Sequence, residues 1–175
     1  MKVTIPYTPR KQQAFIHKEL DKHRFSVLCC HRRFGKTVML INHLIKCCMM
    51  NKNHQPRFAY IAPTYSQAKK IAWDYLKFYT KGLPNTKYNE TELRCDFFNG
   101  SRITLLSSEN PDSIRGIYLD GVVCDEASQI SRELIDEVIR PAIADRKGWM
   151  CLCSTPKGMN NIFYDMYLKA QQEKD

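Results

Sequence analysis

Several features that define other protein classes are absent from this sequence of 175 residues. It has only 7 glycines and 8 prolines and no repeated segment, which excludes collagen-like, low-complexity and solenoid chains. Its 8 cysteines form no CxxC pair and lie mostly within apolar runs, so their spacing argues against a zinc site or a disulfide framework. We therefore expect reduced thiols that act as small core residues.

Long apolar segments are also missing. No run of about 20 apolar residues is present, and the first 15 residues lack the apolar centre of a signal peptide. The sequence therefore predicts no contact with a membrane. A chain of this length forms one domain with a sizeable core, because it can bury roughly 70% of its unfolded surface.

Acidic residues are scarcer than basic ones. The 27 Lys and Arg against 18 Asp and Glu give a formal charge of +9, which favours an anionic partner such as nucleic acid. An inert basic surface is the alternative reading of the same charge.

The chain alternates between two apolar periods. Helical spacing is found over residues 10–20, 38–50, 66–83 and 131–143, and the first helix is expected to turn Ala14, Phe15 and Leu20 inward. Buried strands are predicted at residues 25–30, 57–63, 121–127 and 149–156. A hairpin is predicted for residues 92–98 and 102–107, because Asn99-Gly100 between them accepts the positive φ angles of a tight turn.

This alternation predicts an α/β fold. Its sheet should be mostly parallel, with helices on both faces and the hairpin as an added antiparallel part. In such sheets the active residues gather at the carboxyl ends of the strands.

The segment CHRRFGKT, residues 30–37, lies between the first predicted strand and the following helix. Gly35, Lys36 and Thr37 supply the flexible backbone, the cation and the hydroxyl that hold a triphosphate with Mg²⁺ at a helix N-terminus. Cys30 stands where such loops usually begin with glycine, so a chance GKT at the start of a helix is the alternative. The flanking strand and helix favour a site for ATP and Mg²⁺.

Two acids end the strand VVCDE, about 90 residues after the loop. Asp125 is placed to hold Mg²⁺, and Glu126 to orient and deprotonate an attacking water. Acids are also common at helix N-termini for electrostatic reasons, but the pairing with FGKT favours hydrolysis.

A third strand, CLCSTP, ends in Ser154 and Thr155, which could sense the γ-phosphate; a simple turn closed by Pro156 is the alternative. Arg32 and Arg115 are candidates for stabilising charge on the transferred phosphoryl group. A solvated surface arginine is the alternative, and for Arg115 taken alone it is the favoured interpretation.

Taken together, these motifs resemble the ATPase domain of the large terminase subunit, the DNA-packaging motor of tailed bacteriophages. The resemblance covers nearly the whole chain through YTPRKQQ, CHRRFGKT, YIAPTYSQAKKIAW, NGSRI, IRGIYLDGVVCDEAS and CSTPKG, in that order. Such loops often depart from the glycine start and carry an arginine four residues before the lysine, here Arg32. The resemblance implies a P-loop NTPase fold of the RecA/ASCE type.

The resemblance also implies roles for individual residues. Gln13, after Pro9 and Arg10, would recognise adenine, while Thr37 and Asp125 would bind Mg²⁺. Catalysis would involve Arg32, Lys36, Arg115 and Glu126. The nucleotide-binding loop would comprise Arg32, Arg33, Phe34, Gly35, Lys36 and Thr37.

The resemblance implies two further residue roles, one in motion and one in assembly. Ser154, Thr155 and Pro156 match the coupling motif, which links loss of the γ-phosphate to movement of the DNA-gripping part. Arg115, eleven residues before Glu126, matches an arginine finger offered to a neighbouring subunit.

The implied function is an ATP-hydrolysing motor domain that drives double-stranded DNA into a procapsid. The implied partners are DNA, the portal protein, the small terminase subunit and further copies in a homo-oligomeric ring, with a monomer as the alternative for the isolated domain. The implied location is the host cell cytoplasm. Residues 1–175 would form the ATPase domain, and we expect no nuclease activity because the RNase H-like nuclease domain of large terminases is absent from the sequence.

Two other functions stay open from the residues alone. A superfamily 2 helicase or translocase fragment also combines a glutamine motif, GKT and DE, and strand separation would identify it. A basic DNA-binding module with a vestigial nucleotide pocket would explain Cys30 and the charge of +9, and it would not bind ATP.

Overall fold

The computed structural model describes residues 4–172, which are built around one seven-stranded sheet. Its strands are β1 (Phe25–Cys29), β2 (Arg57–Ala62), β3 (Lys87–Asn89), β4 (Arg94–Asp96), β5 (Arg102–Ser107), β6 (Gly121–Asp125) and β7 (Trp149–Ser154). They lie in the order β1-β7-β6-β2-β5-β4-β3. The first five strands in this spatial order run parallel to one another, and β4 and β3 add an antiparallel edge beyond β5.

Helices cover both faces of this sheet. They are α1 (Lys11–Lys22), α2 (Lys36–Met50), α3 (residues 65–80), α4 (Leu134–Ile139 continued by Arg140–Ala144) and α5 (Ile162–Gln172). The core on one face joins α1, α2 and α3 to the sheet, and the core on the other face joins α4 and α5 to it. The predicted α/β sheet with helices on both faces is confirmed.

Two helices contain π-helical turns. Ala68–Trp73 interrupts α3, and Leu134–Ile139 forms the first part of α4. Single π-helical turns within helices often accompany functional sites, because the wider turn redirects side chains. In α3 this turn carries Ile71, which lies beside the candidate site described below.

Most predicted elements lie within a few residues of their observed positions. The hairpin turn forms at Asn99-Gly100, where Gly100 has a φ of +80° and the N–H of Phe97 donates to the carbonyl of Ser101 at 2.9 Å. All eight cysteines are free, and six of them are buried.

Three features differ from the prediction. Strand β3 and helix α5 were not predicted. The prediction that Phe15 faces the core is wrong, because its side chain is 63% exposed. Helix α1 instead buries Gln13 and Leu20, with Ile16 packed at the edge of the core. A search for apolar spacing cannot find this face, because a glutamine occupies one of its buried positions.

Candidate nucleotide site

The carboxyl ends of three parallel strands meet at one edge of the sheet. The register pairs Cys29 of β1 with Ser154 of β7, and Cys153 of β7 with Asp125 of β6. The segments after β1, β6 and β7 therefore emerge side by side. This register brings the GKT loop, the two acids and the Ser-Thr pair together, although they are far apart in sequence.

The loop after β1 begins as a continuation of the strand. Cys30 is buried, and its N–H donates to the carbonyl of Ser154 at 3.1 Å, as in a parallel ladder. Cys30 is not among the residues with a positive φ, so the position does not need the conformational freedom of glycine. This position explains why cysteine occupies the usual first glycine position of the loop.

The residues of the loop that adopt a positive φ are instead Arg33 and Gly35. Their φ angles are +63° and +83°, and Gly35 is the N-terminal cap of α2. A Cβ atom at Gly35 would lie 2.9 Å from Arg10 Nη2 and 3.0 Å from Gln13 Nε2. The φ of Gly35 strains any residue with a side chain, and Arg10 and Gln13 would also have to shift to make room for a Cβ atom. The turn leaves the first N–H groups of α2 at the sheet edge, where they can bind an anion.

Lys36 and Glu126 form an ion pair across the site. Lys36 Nζ lies 3.4 Å from Glu126 Oε1, and the Lys36 side chain is only 9% exposed. Lys36 belongs to the first turn of α2, while Glu126 directly follows β6. A buried ammonium needs a negative partner, and phosphate oxygens could replace the carboxylate in this role.

Asp125 is the most completely surrounded acid of the site. Its Oδ2 accepts hydrogen bonds from Thr37 Oγ1, at 3.3 Å, and from the Tyr60 hydroxyl, while its Oδ1 accepts from the N–H of Glu126 at 2.9 Å. Burial nevertheless raises the pKa of Asp125 above its ordinary value. A carboxylate that is short of positive charge, beside a hydroxyl oxygen, is a donor set that fits Mg²⁺.

Glu126 adopts a left-handed backbone conformation, with a φ of +47°. This conformation is uncommon for a residue with a side chain and often marks a functional site. Its Oε2 lies 3.5 Å from Ser154 Oγ and 3.4 Å from Thr155 Oγ1. The predicted hydrolytic acid and the predicted coupling motif are thus in direct contact.

Several of these groups border one open cavity of about 630 Å³. Its lining includes Arg32, Thr37, Asp125, Glu126, Thr155 and Pro156. The volume lies within the range of small-molecule and cofactor sites. A smaller cavity of about 230 Å³ adjoins it and is lined by the loop residues Arg33, Phe34, Gly35 and Lys36, among others.

Two predicted site residues are placed differently. Gln13 lines neither cavity; its Nε2 donates to the Phe34 carbonyl at 3.2 Å, and its Oε1 accepts from the N–H of Arg10 at 3.0 Å. Arg115 is 56% exposed beside Asp112, with Nε and Oδ1 3.5 Å apart, and it also lies outside both cavities. Gln13 therefore contacts the loop from outside the cavities, whereas Arg115 lies apart from the other predicted residues within one subunit.

The sequence reading missed two side chains that shape the site. Tyr60, in β2, reaches Asp125 through its buried hydroxyl, and Ser128 Oγ lies 2.9 Å from Ser154 Oγ. A tyrosine within an otherwise apolar strand was the available signal, because a buried phenol needs a polar partner. Ser128 gave no distinct signal, since serine is common after strands.

Comparison with known proteins places this geometry in a family. The protein-family model described as terminase large subunit, T4likevirus-type, N-terminal, matches residues 31–175 of this chain. The large terminase subunit of Thermus phage G20c is 29% identical over 93% of this chain and 36% of its own length. The chain therefore spans about a third of the length of such relatives.

Solved structures agree with this match. The ATPase domain of the Thermus phage P74-26 large terminase superposes with a TM-score of 0.77 at 27% identity, over 94% of this chain and 71% of that one. A large terminase from a thermophilic bacteriophage, solved with ATP-γ-S, has the same fold at 16% identity, with a TM-score of 0.74 over 94% of this chain and 42% of that one. Across residues 4–172, no helix is long and apolar enough to cross a lipid bilayer.

Proposed function

Because the chain belongs to the family of T4likevirus-type large terminase subunits, N-terminal part, we propose that it is the ATP-hydrolysing motor domain that drives double-stranded DNA into a procapsid in the host cell cytoplasm. The observation that carries the proposal is the convergence of Lys36, Thr37, Asp125 and Glu126 at one sheet edge. We assign residues 1–175 to this one ATPase domain.

Phosphate binding would fall to the loop and the start of α2. Backbone N–H groups from Gly35 to Thr37 would hold phosphate oxygens at the helix N-terminus, and Lys36 would neutralise the β- and γ-phosphates. Arg32 lines the large cavity and would add positive charge there. Arg33 and Phe34 would complete the loop around the nucleotide.

Thr37 and Asp125 would hold Mg²⁺ through the hydroxyl and carboxylate oxygens that lie 3.3 Å apart. When bound, the ion would screen the charge of the phosphates during transfer. Tyr60 keeps the Asp125 carboxylate oriented toward Thr37 through the hydrogen bond of its hydroxyl. These three side chains come from α2, β6 and β2, so the sheet and α2 together would fix the position of the ion.

Hydrolysis would depend on the release of Glu126 from Lys36. When phosphate oxygens take Lys36 as their partner, the Glu126 carboxylate becomes free to accept a proton from the attacking water. Glu126 would still be oriented by Ser154 and Thr155, whose hydroxyl oxygens lie 3.5 and 3.4 Å from its Oε2. Phosphate oxygens and the Glu126 carboxylate would thus compete for the same ammonium.

The contact between Glu126 and β7 also offers a path for coupling. A change in the Glu126 carboxylate after loss of the γ-phosphate would act on Ser154, Thr155 and, through the backbone, on Pro156. Ser128 would share in this movement through its hydroxyl contact with Ser154. The segment after Pro156 leads into α5, which packs on the face opposite α1 to α3.

The assembly part of the proposal follows from Arg115. Its exposed guanidinium lies outside the cavity of its own subunit, so it would serve as an arginine finger for the site of a neighbour in a homo-oligomeric ring. The portal protein and the small terminase subunit are the further partners we propose. The charge of +9 supports contact with DNA phosphates.

Phosphate release from Mg²⁺-ATP tests the function directly. We expect activity that rises with double-stranded DNA, a loss of about a hundredfold or more in Lys36→Ala, and wild-type rates in the matched control Lys52→Ala, whose side chain is exposed. DNA binding should weaken steeply as salt increases. If wild type and Lys36→Ala released phosphate equally slowly with DNA present, and neither bound ATP, the proposed ATPase function would be wrong. The hypothesis of a DNA-binding module with a vestigial nucleotide pocket would then replace it.

A further inference from the structure

The smaller cavity has two walls of different chemistry. One wall is the phosphate loop with the start of α2, from Arg33 to Val38, and the other is the α3 face that carries Ile71 and Tyr75. Thr37, Ile71 and Glu126 border both this cavity and the larger one, so the two cavities adjoin. A ligand held by its phosphates at Lys36 could therefore extend along the loop toward α3.

Ile71 and Tyr75 are large side chains that are not buried in the core. They are 49% and 39% exposed, and their spacing of four residues places them on one side of α3. An apolar wall opposite a polar loop is the usual composition of a site that binds a partly aromatic ligand. The core of the domain does not account for these two side chains, since they are exposed rather than packed.

The ring of Tyr75 is supported from behind. Tyr79 stacks against it with centroids 6.4 Å apart and an interplanar angle of 27°, and Tyr7 meets Tyr79 edge-on at 6.0 Å. This row fixes the orientation of Tyr75 and leaves part of its surface for the cavity. A ring that is held in place loses little conformational entropy when a second aromatic group stacks on it.

We propose that Tyr75 and Ile71 form the platform for the purine base of the nucleotide whose phosphates lie at Lys36 and Thr37. This inference rests on the proposed function. Tyr75 stacks on the base, and Ile71 contacts the base and ribose at the junction of the two cavities. The predicted contact of Gln13 with adenine addresses the edge of the base and is a separate expectation. The platform therefore contributes affinity and a preference for purines.

The test compares ATP with inorganic tripolyphosphate, both with Mg²⁺, by calorimetry. Tripolyphosphate has the charges of ATP but no base, so it reports the phosphate site alone. We expect Tyr75→Ala to weaken ATP roughly tenfold or more, as for other aromatic stacking partners of bases, and to leave tripolyphosphate unchanged. Tyr75→Phe keeps the stacking surface and should bind ATP like wild type.

Tyr65→Ala is the matched control. Tyr65 is an aromatic residue of the same helix with 43% exposure, and it lies outside both cavities. Its removal should leave the affinity for both ligands unchanged.

A second measurement compares ATP with CTP. The ratio of ATP to CTP affinity should fall in Tyr75→Ala, because the larger purine has more stacking surface to lose.

The outcomes separate this inference from the proposed function. Unchanged ATP affinity in Tyr75→Ala, or equal weakening of ATP and tripolyphosphate, overturns the platform while the ATPase stands. Failure of wild type to bind either ligand overturns the proposed function itself. Retained binding of tripolyphosphate by Tyr75→Ala shows that the variant is folded.

Discussion

Lys36 Nζ lies 3.4 Å from Glu126 Oε1, so the phosphate-binding cation and the hydrolytic base of the proposed mechanism form an ion pair. The pair joins the start of α2 to the end of β6. The Glu126 side chain is 31% exposed but that of Lys36 is only 9% exposed, so the buried ammonium needs a negative partner. Phosphate oxygens can take the place of the carboxylate because they supply such a partner.

The first prediction concerns Glu126→Gln. Loss of the base should lower kcat by about 10² to 10⁴, and ATP should bind a few times more tightly because Lys36 no longer has a carboxylate partner. Phosphate release and calorimetry measure the two effects. Glu133→Gln, at an exposed position before α4, is the matched control and should resemble wild type. Weaker ATP binding by Glu126→Gln would contradict competition between carboxylate and phosphate for Lys36.

The second prediction concerns Tyr60→Phe. The Tyr60 hydroxyl donates to Asp125 Oδ2, and this hydrogen bond lowers the pKa of Asp125 against the larger effect of burial. Its loss should raise the Mg²⁺ concentration for half-maximal ATPase activity roughly tenfold or more, because hydrogen bonds to charged groups contribute about 1.5–3 kcal/mol and each 1.4 kcal/mol is about a factor of ten. An equal Mg²⁺ requirement would show that Tyr60 does not position Asp125.

Tyr118→Phe is the control for this change. The Tyr118 hydroxyl lies 3.5 Å from the Gln55 carbonyl oxygen, and the residue lines neither of the two cavities at the candidate site. Its Mg²⁺ dependence should match that of wild type.

The third prediction concerns stability and pH. Burial raises the pKa of Asp125 above its ordinary value of 3.8, so the ionised form destabilises the fold. Asp125→Asn should therefore raise the free energy of unfolding at neutral pH by about 1 kcal/mol while it abolishes Mg²⁺-dependent hydrolysis. Denaturant unfolding without nucleotide measures the gain.

The sign of this effect depends on pH. Below the ordinary pKa both states of wild type bind the proton, and the two proteins should be equally stable. As pH rises from about 4 through the raised folded pKa, wild type should lose stability relative to Asp125→Asn. Asp145→Asn, at an exposed position, should show no such change. A gap that grows toward acid pH would contradict the assigned direction.

The fourth prediction concerns Arg115. If it completes the site of a neighbour, Arg115→Ala subunits have an intact Lys36 site, and Lys36→Ala subunits have an intact finger. Each variant alone should be inactive, and their mixture should regain part of the DNA-stimulated ATPase rate. No recovery in the mixture, under conditions in which wild type forms oligomers, would count against action between subunits.

The fifth prediction concerns Gln13→Ala. The Gln13 amide donates to the Phe34 carbonyl at 3.2 Å, so its removal should loosen the loop and weaken ATP and tripolyphosphate alike. Binding of both ligands by calorimetry gives the answer. A loss confined to ATP would instead show that Gln13 contacts the base, as the resemblance implies.

The sequence predicted the parts of this fold that depend on local pattern. Apolar runs that stop at polar residues located β1, β2, β6 and β7, and the positive φ required at Gly100 located the hairpin turn. The same pattern placed Lys36, Asp125 and Ser154 at strand or helix ends. These signals are strong because the period of an element and the backbone freedom of glycine are properties of a few neighbouring residues.

Contacts between distant segments could be decided only by the tertiary structure. The apolar run of β2 does not reveal that the Tyr60 hydroxyl reaches Asp125, because this depends on the pairing of β2 with β6. The packing of α1 and α3 beside the loop likewise decides three side-chain positions. It leaves Phe15 exposed, lets the Gln13 amide donate to the Phe34 carbonyl, and places Tyr75 at the smaller cavity. Local sequence determined which groups could bind phosphate, but side-chain distances across the sheet edge determined how those groups are paired.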